Sequence, residues 1–579
     1  MRMRPFHRAA AAVFALAVAG ACSESSRTAP TGPEKLISAS PAAVSVYEIT
    51  PKVDSLIVGQ SVVLHQRLTD GKTIWIGQNV RWSVSDTTIA RIVTSGCGNQ
   101  QTGCVGTLTG KKAGTVTVTA TTQFNTSKSI SVRVVNQTTG TAIYPGTNIQ
   151  SVVNAYPGGT TFILKHGSHR MQSVVPKTGD KFIGEAGALM TGSRLLMSFT
   201  RSGSYWVASG QTQQGPTSGR CYEGWEGCIY PEDLWINSVL LQHVTSLSLV
   251  GPGKWYFDYA ADKIYLADDP TGKTVETSVL PYAFSGSGVN NITIQGIIIE
   301  KYATPANQGA VNGQGTSGWL VQNNELRSNH GAGVRLGNSM QVLNNKINSN
   351  GLEGVNSANI SHSLVEGNEI AYNNTAHYHP YWQGGATKFG SSSYITVRGN
   401  NVHHNFGKGI WADINCIYLT IENNTVTDND HQGIQQEIGY DAIIRNNDVE
   451  RNGFGNPGVL AGSGINVVSS PNVEIYGNRV VANMNGIVGR QYAKGSGTYG
   501  PHEINNLYVH DNTIVMTSGQ TGLLEWVNDT TYYTKRNNRF VHNTYYLNGL
   551  ALPFWWADTT RTAAEWKKYG QDVTGTFNP

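Results

Sequence analysis

Two acids, Asp413 and Glu437, hold the same place in successive copies of one short phrase. The phrase is written four times, as GGATKF from Gly384, GIWADI from Gly409, GIQQEI from Gly433 and GINVVS from Gly464. Its glycines lie 25, 24 and 31 residues apart, about one coil of a stacked solenoid with an occasional loop. Apolar residues alternate with polar or variable ones inside each phrase, the period of a strand with one buried face. With Ile410, Ala412 and Ile414 pointing in, Trp411 and Asp413 point out, and Gln435 and Glu437 point out one coil later. Equivalent residues of stacked coils lie about 4.8 Å apart, so the two carboxylates are expected side by side on one outward face. Carboxyl groups about 5 Å apart suit a retaining cleavage of a glycosidic bond, one attacking the anomeric carbon and the other shuttling the proton.

Counting onward from each first glycine extends the argument to neighbouring coils. The fourth residue on gives the column Gly337, Ala358, Lys388, Asp413, Glu437, Val468 and Arg490. The second gives Arg335, Asn356, Ala386, Trp411, Gln435, Asn466 and Val488. A merely solvated face would scatter Thr, Ser and Lys evenly, whereas here polar and aromatic groups gather on the middle coils, as a sugar-binding groove requires. Lys388, stacked on the Asp413 side, keeps that acid ionised as the nucleophile. Glu437, flanked by the neutral Val468, is the proton donor. Trp411 and Trp382 are candidates to stack on sugar rings. His404, Lys408, His379 and His377 lie on loops near the same edge and are candidates to bind hydroxyls or carboxylates, each weighed against a plain surface role. Asp441 is read as a turn residue. No His/Cys cluster has zinc spacing and no glycine-rich phosphate loop joins a strand to a helix, so no metal or cofactor is assigned.

The elements that must position these groups are legible in the asparagines. Asn324, Asn345, Asn368, Asn400, Asn424, Asn447, Asn478 and Asn538 each have a second asparagine five residues later. At a coil corner an inward asparagine can bond the backbone of its own turn and its stacked neighbours. The fold class is therefore all-β, a parallel solenoid from about 143 to 579. Loops leave it at Thr375 to Gln383 and Phe454 to Gly462. Ile143 to Arg170 combines a short amphipathic helix (Ile149, Val152, Val153), a Pro-Gly-Gly turn and the strand TFILK. It resembles the N-terminal cap of right-handed parallel β-helix proteins, and an uncapped end would expose core and strand edges. PFWWADTTRTAAEWKKYGQD reads as a helix-bearing cap over about 552–579.

Between about 188 and 281 the coil pattern lapses. The phrases DLWINSVLL and GPGKWYFDYAADKIYLADDP resemble a β-rich insertion of β-helix glycoside hydrolases, the β-xylosidase type among them. In those enzymes an Asp nucleophile and a Glu acid/base sit on neighbouring coils, and the resemblance places the roles on Asp413 and Glu437. Upstream, residues 43–136 show short strands with turn signals between them. Their phrases ITPKVDSLIVGQSVVL, VRWSVSDTTIARI and KKAGTVTVTAT resemble the bacterial Ig-like group 2 family, whose modules serve as spacers or adhesive domains.

Arg2, Arg4 and Arg8 precede the apolar run Ala9 to Val18 and the phrase Ala19-Gly20-Ala21-Cys22. This resembles a bacterial lipoprotein signal over 1–22 with the lipid on Cys22, simple secretion being the alternative; 23–42 reads as a tether. Removing the three leader arginines leaves 39 basic against 38 acidic residues, with no basic stripe for nucleic acid. In an exported chain Cys97 with Cys104, and Cys221 with Cys228, read as local disulfides; Cys416 reads as packed inside a coil. The whole is read as an exported, lipid-anchored hydrolase of a polysaccharide or oligosaccharide. The rivals are a polysaccharide lyase with Lys388 as base and calcium held by Asp413 and Glu437, and a non-catalytic glycan-binding or adhesion protein.

Overall fold

The computed structural model describes residues 45–51, 53, 55–69, 74–76, 79–97, 104–135 and 139–579. The leader, Cys22 and the tether lie outside the described residues. The chain divides into two compact units between Thr138 and Thr139.

The first unit is a sandwich of a five-stranded and a four-stranded sheet. Alternation fixes the buried side of each strand, as in Val105–Gly110, where every second residue is buried. Leu64, Trp82, Leu108, Val118 and Val132 form its core. The Trp82 indole N–H donates to the Cys104 carbonyl at 3.1 Å, and Cys97 is bonded to Cys104.

The second unit is a parallel β-helix with three faces, built from sheets of 13, 13 and 12 strands. Helix α1, Ile149–Ala155, begins where Asn148 accepts from the Ser151 amide at 2.8 Å. It buries Ile149 and Val153 in the same core as Phe162 and Phe182. Helix α2, Ala563–Lys568, opens on a reciprocal Thr562–Glu565 capping box and buries Trp566 against Phe554 at the far end. The insertion is shorter than the lapse in pattern suggests. Ala188–Thr191 still pairs with the coil strands on either side, and the added strands run from Ser193 to Ser278 in two sheets of their own. Cys221 and Cys228 are bonded within it.

The asparagines form two rows down the solenoid. In one, Asn324, Asn345, Asn368, Asn400, Asn424 and Asn447 each give their backbone and side-chain N–H groups to the side-chain oxygen of the next asparagine, at 2.9–3.0 Å. Each row thereby satisfies buried polar groups that would otherwise be stranded. The recurring glycine has its reason here: a Cβ on Gly409 would lie 2.4 Å from the Gly433 carbonyl oxygen, and one on Gly464 only 2.7 Å from Asn483 Nδ2. The last expected pair is corrected. Asn543 continues the first row after Asn478 and Asn512, and Asn538 stands outside both rows, donating to the Ile504 carbonyl. Asn538 merely lies five residues ahead of a first-row member, and Asn543 follows Asn512 at the same 31-residue separation as Asn478 follows Asn447. The first row ends on a carboxylate: both N–H groups of Asn543 reach Asp572 Oδ1, at 2.9 and 3.0 Å, and Asp572 Oδ2 accepts from Tyr545 and Trp566.

Candidate functional site

The site lies on the 12-stranded face. Its strands are β1, Ala332–Arg335; β2, Glu353–Ala358; β3, Gly385–Gly390; β4, Lys408–Asp413; β5, Ile434–Glu437; β6, Ser463–Val468; and β7, Asn485–Gln491. The register pairs Ile410 with Ile434 and Trp411 with Gln435, and the Asn415 amide reaches the Ile438 carbonyl just past the strand ends. Asp413 and Glu437 therefore occupy equivalent positions on adjacent coils, two residues beyond the Trp411–Gln435 pair.

One column differs from the sequence count. Lys388 pairs with Trp411, and Gly390 with Asp413. Ala386, not Gly384, is thus the counterpart of Gly409, so Arg335, Asn356, Lys388, Trp411, Gln435 and Asn466 form one row. Lys388 nevertheless reaches diagonally to Asp413, with Nζ 2.8 Å from Oδ2, and also donates to the Trp382 carbonyl. Ile414 is likewise corrected: β4 ends at Asp413, Ile414 turns into the left-handed region at φ 39°, and its side chain is exposed. Its amide donates to Asp413 Oδ1 at 2.9 Å, fixing that carboxylate from the other side.

The row faces out of the solenoid but not into solvent. Every member of it is buried, and Trp411 is only 2 % exposed, so Trp411 is not an open sugar platform. The ammonium groups of Lys388 and Lys408 lie 3.6 and 3.5 Å from its ring centre, a doubled cation–π contact. The cover comes from the two long loops, which are joined where the Tyr381 hydroxyl donates to Asn456 Oδ1 at 2.5 Å. Trp382 is half-buried against Tyr378, and His379 packs between the rings of Tyr222 and Tyr381. Burial, and after it the Arg220 charge, lowers the His379 pKa. His377 stacks on Trp225. His404 lies at the end of Asn401–His403, a strand of another sheet, stacked on Tyr372; the corner between two faces separates it from the acids. Asp441 does make a turn, at φ 28°.

Glu437 is the more open acid, its side chain 18 % exposed against 8 % for Asp413. Gln435 Nε2 donates to its Oε2 at 2.5 Å, and Asn466 in turn donates to Gln435 Oε1 at 2.9 Å. Val468 pairs with Glu437 as counted, yet a cation arrives from outside the column: Lys494 Nζ lies 3.6 Å from Oε1. Arg490 stands beyond, over the rings of Tyr492 and Trp526.

Lys408, expected on a loop, instead opens strand β4. Two groups, Glu353 and Trp526, escape the sequence count; Glu353, like Lys408, stands immediately before a phrase glycine, a position that columns counted forward from the glycine omit. Lys408 is buried and donates to the Pro380 carbonyl at 2.8 Å; burial drives its pKa down to about 7 against the partial support of Glu437. Burial pushes Glu353 up to about 7, opposed by a 2.6 Å hydrogen bond from Asn356 and by Lys388. Trp526, 53 % exposed beside Arg490, is the open aromatic surface expected of Trp411 and Trp382.

Among known proteins, residues 309–480 match the family model "Right handed beta helix region", and residues 43–132 match "Bacterial Ig-like domain (group 2)". No curated protein matches. Solved structures with similar chains include "The complex structure of XylC with xylose", 13% identical, covering 75% of this chain and 79% of that one with a TM-score of 0.46. The "Azotobacter vinelandii Mannuronan C-5 epimerase AlgE6 A-module" is 13% identical, covering 74% and 93% with a TM-score of 0.41. A "Yersinia enterocolitica Family 28 Exopolygalacturonase" is 13% identical, covering 86% and 92% with a TM-score of 0.35. The three-faced solenoid thus carries a right-handed β-helix region, and the sandwich before it is a bacterial Ig-like domain of group 2.

Proposed function

We propose that the protein is an exported, carbohydrate-active enzyme that hydrolyses a polysaccharide or oligosaccharide with retention of anomeric configuration. Asp413 is the nucleophile and Glu437 the acid/base. The observation that carries this reading is the register that stacks the two acids on adjacent coils, near the spacing a double displacement needs. Lys388 pairs with Asp413 Oδ2 and the Ile414 amide donates to its Oδ1, so the carboxylate is held from both sides. Lys494 is half-exposed, so a sugar entering over Glu437 displaces it and brings the glycosidic oxygen against that carboxyl. Three buried atoms of the row, Arg335 Nε, Trp411 Nε1 and Asn466 Oδ1, have no hydrogen-bond partner in the protein and suit substrate hydroxyls or bridging water. Export follows from the leader, with Cys22 as the lipid anchor. Among the described residues no helix is long and apolar enough to cross a membrane.

The test is a screen of plant and bacterial glycans with wild type beside Glu437→Gln and Asp413→Asn, read by product chromatography and by NMR of the first-formed anomer. Retention is expected, with each variant slower by about a hundredfold or more. An inverted product, or undiminished turnover by Asp413→Asn, rejects the mechanism. One observation favours a second reading, β-elimination from an acidic polysaccharide: Lys408, with its pKa near 7, suits a base better than the ion-paired Lys388. Calcium for that chemistry has no group of three His, Cys, Asp or Glu side chains to hold it among the described residues. An unsaturated product absorbing in the ultraviolet marks this outcome.

A further inference from the structure

Away from the two acids, the insertion encloses a cavity of about 490 Å³ against the solenoid. One wall is the disulfide loop Cys221–Cys228, which must lie flush on the strand Gln242–Val244: a Cβ on Gly227 would fall 2.0 Å from the His243 carbonyl oxygen. Trp225 and Leu240 supply apolar surface, and Thr375 and Ala376 close the solenoid side.

Polar groups converge on the same space. His243 is 8 % exposed, stacked on Trp255 at 4.1 Å, and its Nδ1 makes no hydrogen bond. Burial, helped by the nearby His330, takes its pKa down to about 3 against a bond from the ring to the Glu232 backbone, so the imidazole is neutral and its Nδ1 is left as a free acceptor. Asp233 holds His330 Nδ1 at 3.1 Å, while His330 Nε2 contacts the Cys228 carbonyl and the Tyr378 hydroxyl. Lys254 also lines the cavity.

We propose that this cavity is a second carbohydrate-binding site, separate from the Asp413–Glu437 pair, that takes one or two pyranose units of a neutral glycan. A pyranose has one face of C–H groups and a rim of hydroxyls that each donate and accept. The cavity answers with an indole and a leucine for the face, and with a carboxylate, a neutral imidazole and an ammonium for the rim. Its volume lies within the range of small-molecule sites. Asp233 is already offset by His330, so the ligand need carry no charge.

The test uses the full chain with Asp413→Asn and Glu437→Gln combined, so that no substrate is consumed, and methyl β-glucopyranoside, methyl β-galactopyranoside and methyl β-xylopyranoside as probes. Saturation-transfer NMR is expected to show contact with at least one probe, and the buried imidazole resonances of His243 and His330 to shift as it is added. Trp225→Ala is expected to weaken that binding about tenfold or more, as removal of an aromatic anchor does. Binding that leaves the imidazole signals unmoved, or that survives Trp225→Ala unchanged, overturns the proposal, as does no contact with any probe. The imidazole readout needs no substitution in the cavity, so it decides the matter even where Trp225→Ala folds poorly. Cavity binding without turnover of any glycan by wild type sinks the hydrolase reading alone; turnover without cavity binding sinks only this one.

Discussion

Glu353 and Lys408 are buried groups whose pKa values are both moved to about 7, from opposite sides. Burial raises the Glu353 carboxyl, so the folded state holds its proton more tightly than the unfolded chain does. Its contribution to stability is complete below about pH 4.5 and is lost as pH rises through 7. Burial lowers the Lys408 ammonium, so the unfolded chain binds more protons between 7 and 10.5, and stability climbs with pH across that window. Together the two contributions have their trough near neutrality. Glu353→Gln keeps an acceptor for Asn356 and removes the acid branch, a gap of about 3 kcal/mol at 1.36 kcal/mol per pH unit. The variant is expected to gain several degrees in Tm over wild type at pH 7.5 and nothing at pH 4.5, measured by calorimetry in matched buffers. Parallel Tm curves for the two proteins refute this. The acids Asp413 and Glu437 are legible from the repeat because alternation decides which way a strand residue points. Lys494 and Trp526 are not, because they belong to other coils and reach the site through loop paths no local pattern encodes.

At the scale of elements, the asparagine rows and the covering loops show two grades of legibility. Row members are readable because one hydrogen-bond requirement recurs once per coil, and the spacing fails at Asn538 and Asn543 because a five-residue interval alone does not say which member of a pair belongs to the first row. Asn405 makes five side-chain bonds: it donates to Ile370, His403 and Asn429 and accepts from the N–H groups of Asn373. Asn405→Leu strands several buried groups at once, so a loss of roughly 3 kcal/mol or more is expected from urea unfolding. A loss below about 1 kcal/mol would show that the row is relaxed easily. The covering loops escape sequence reading altogether. A strand face marked as outward by alternation is outward from the solenoid only; whether a loop folds back over it depends on contacts such as Tyr381 with Asn456, which lie 75 residues apart.

At the scale of the molecule, the sandwich and the solenoid are both readable in the sequence, because each rests on a short period repeated many times. The insertion is readable as an interruption and, from its phrases, as β-rich, but its pairings are not, since its strands pair across long separations, Ser193 with Ser278 for example. Its contribution of a cavity wall therefore has no sequence signature. The end of the solenoid carries a further consequence. Every asparagine in the first row sends its backbone N–H and one side-chain N–H forward, its second side-chain N–H going back to a carbonyl of the coil before, so the row has a direction, like tiles laid one lip over the next. Asp572 finishes it because its two oxygens accept from Asn543, Tyr545 and Trp566 and no further asparagine follows in the row. Remove 569–579 and Asn543 is left with two unmet donors on a bare edge that any incoming β-chain fits. Such a protein should assemble head to tail into filaments, visible by sedimentation and electron microscopy, while Asp572→Asn, which sets an amide against the Trp566 N–H, should loosen the last coil without polymerising. A truncated chain that stays monomeric would mean that some other feature of the end coil keeps copies apart.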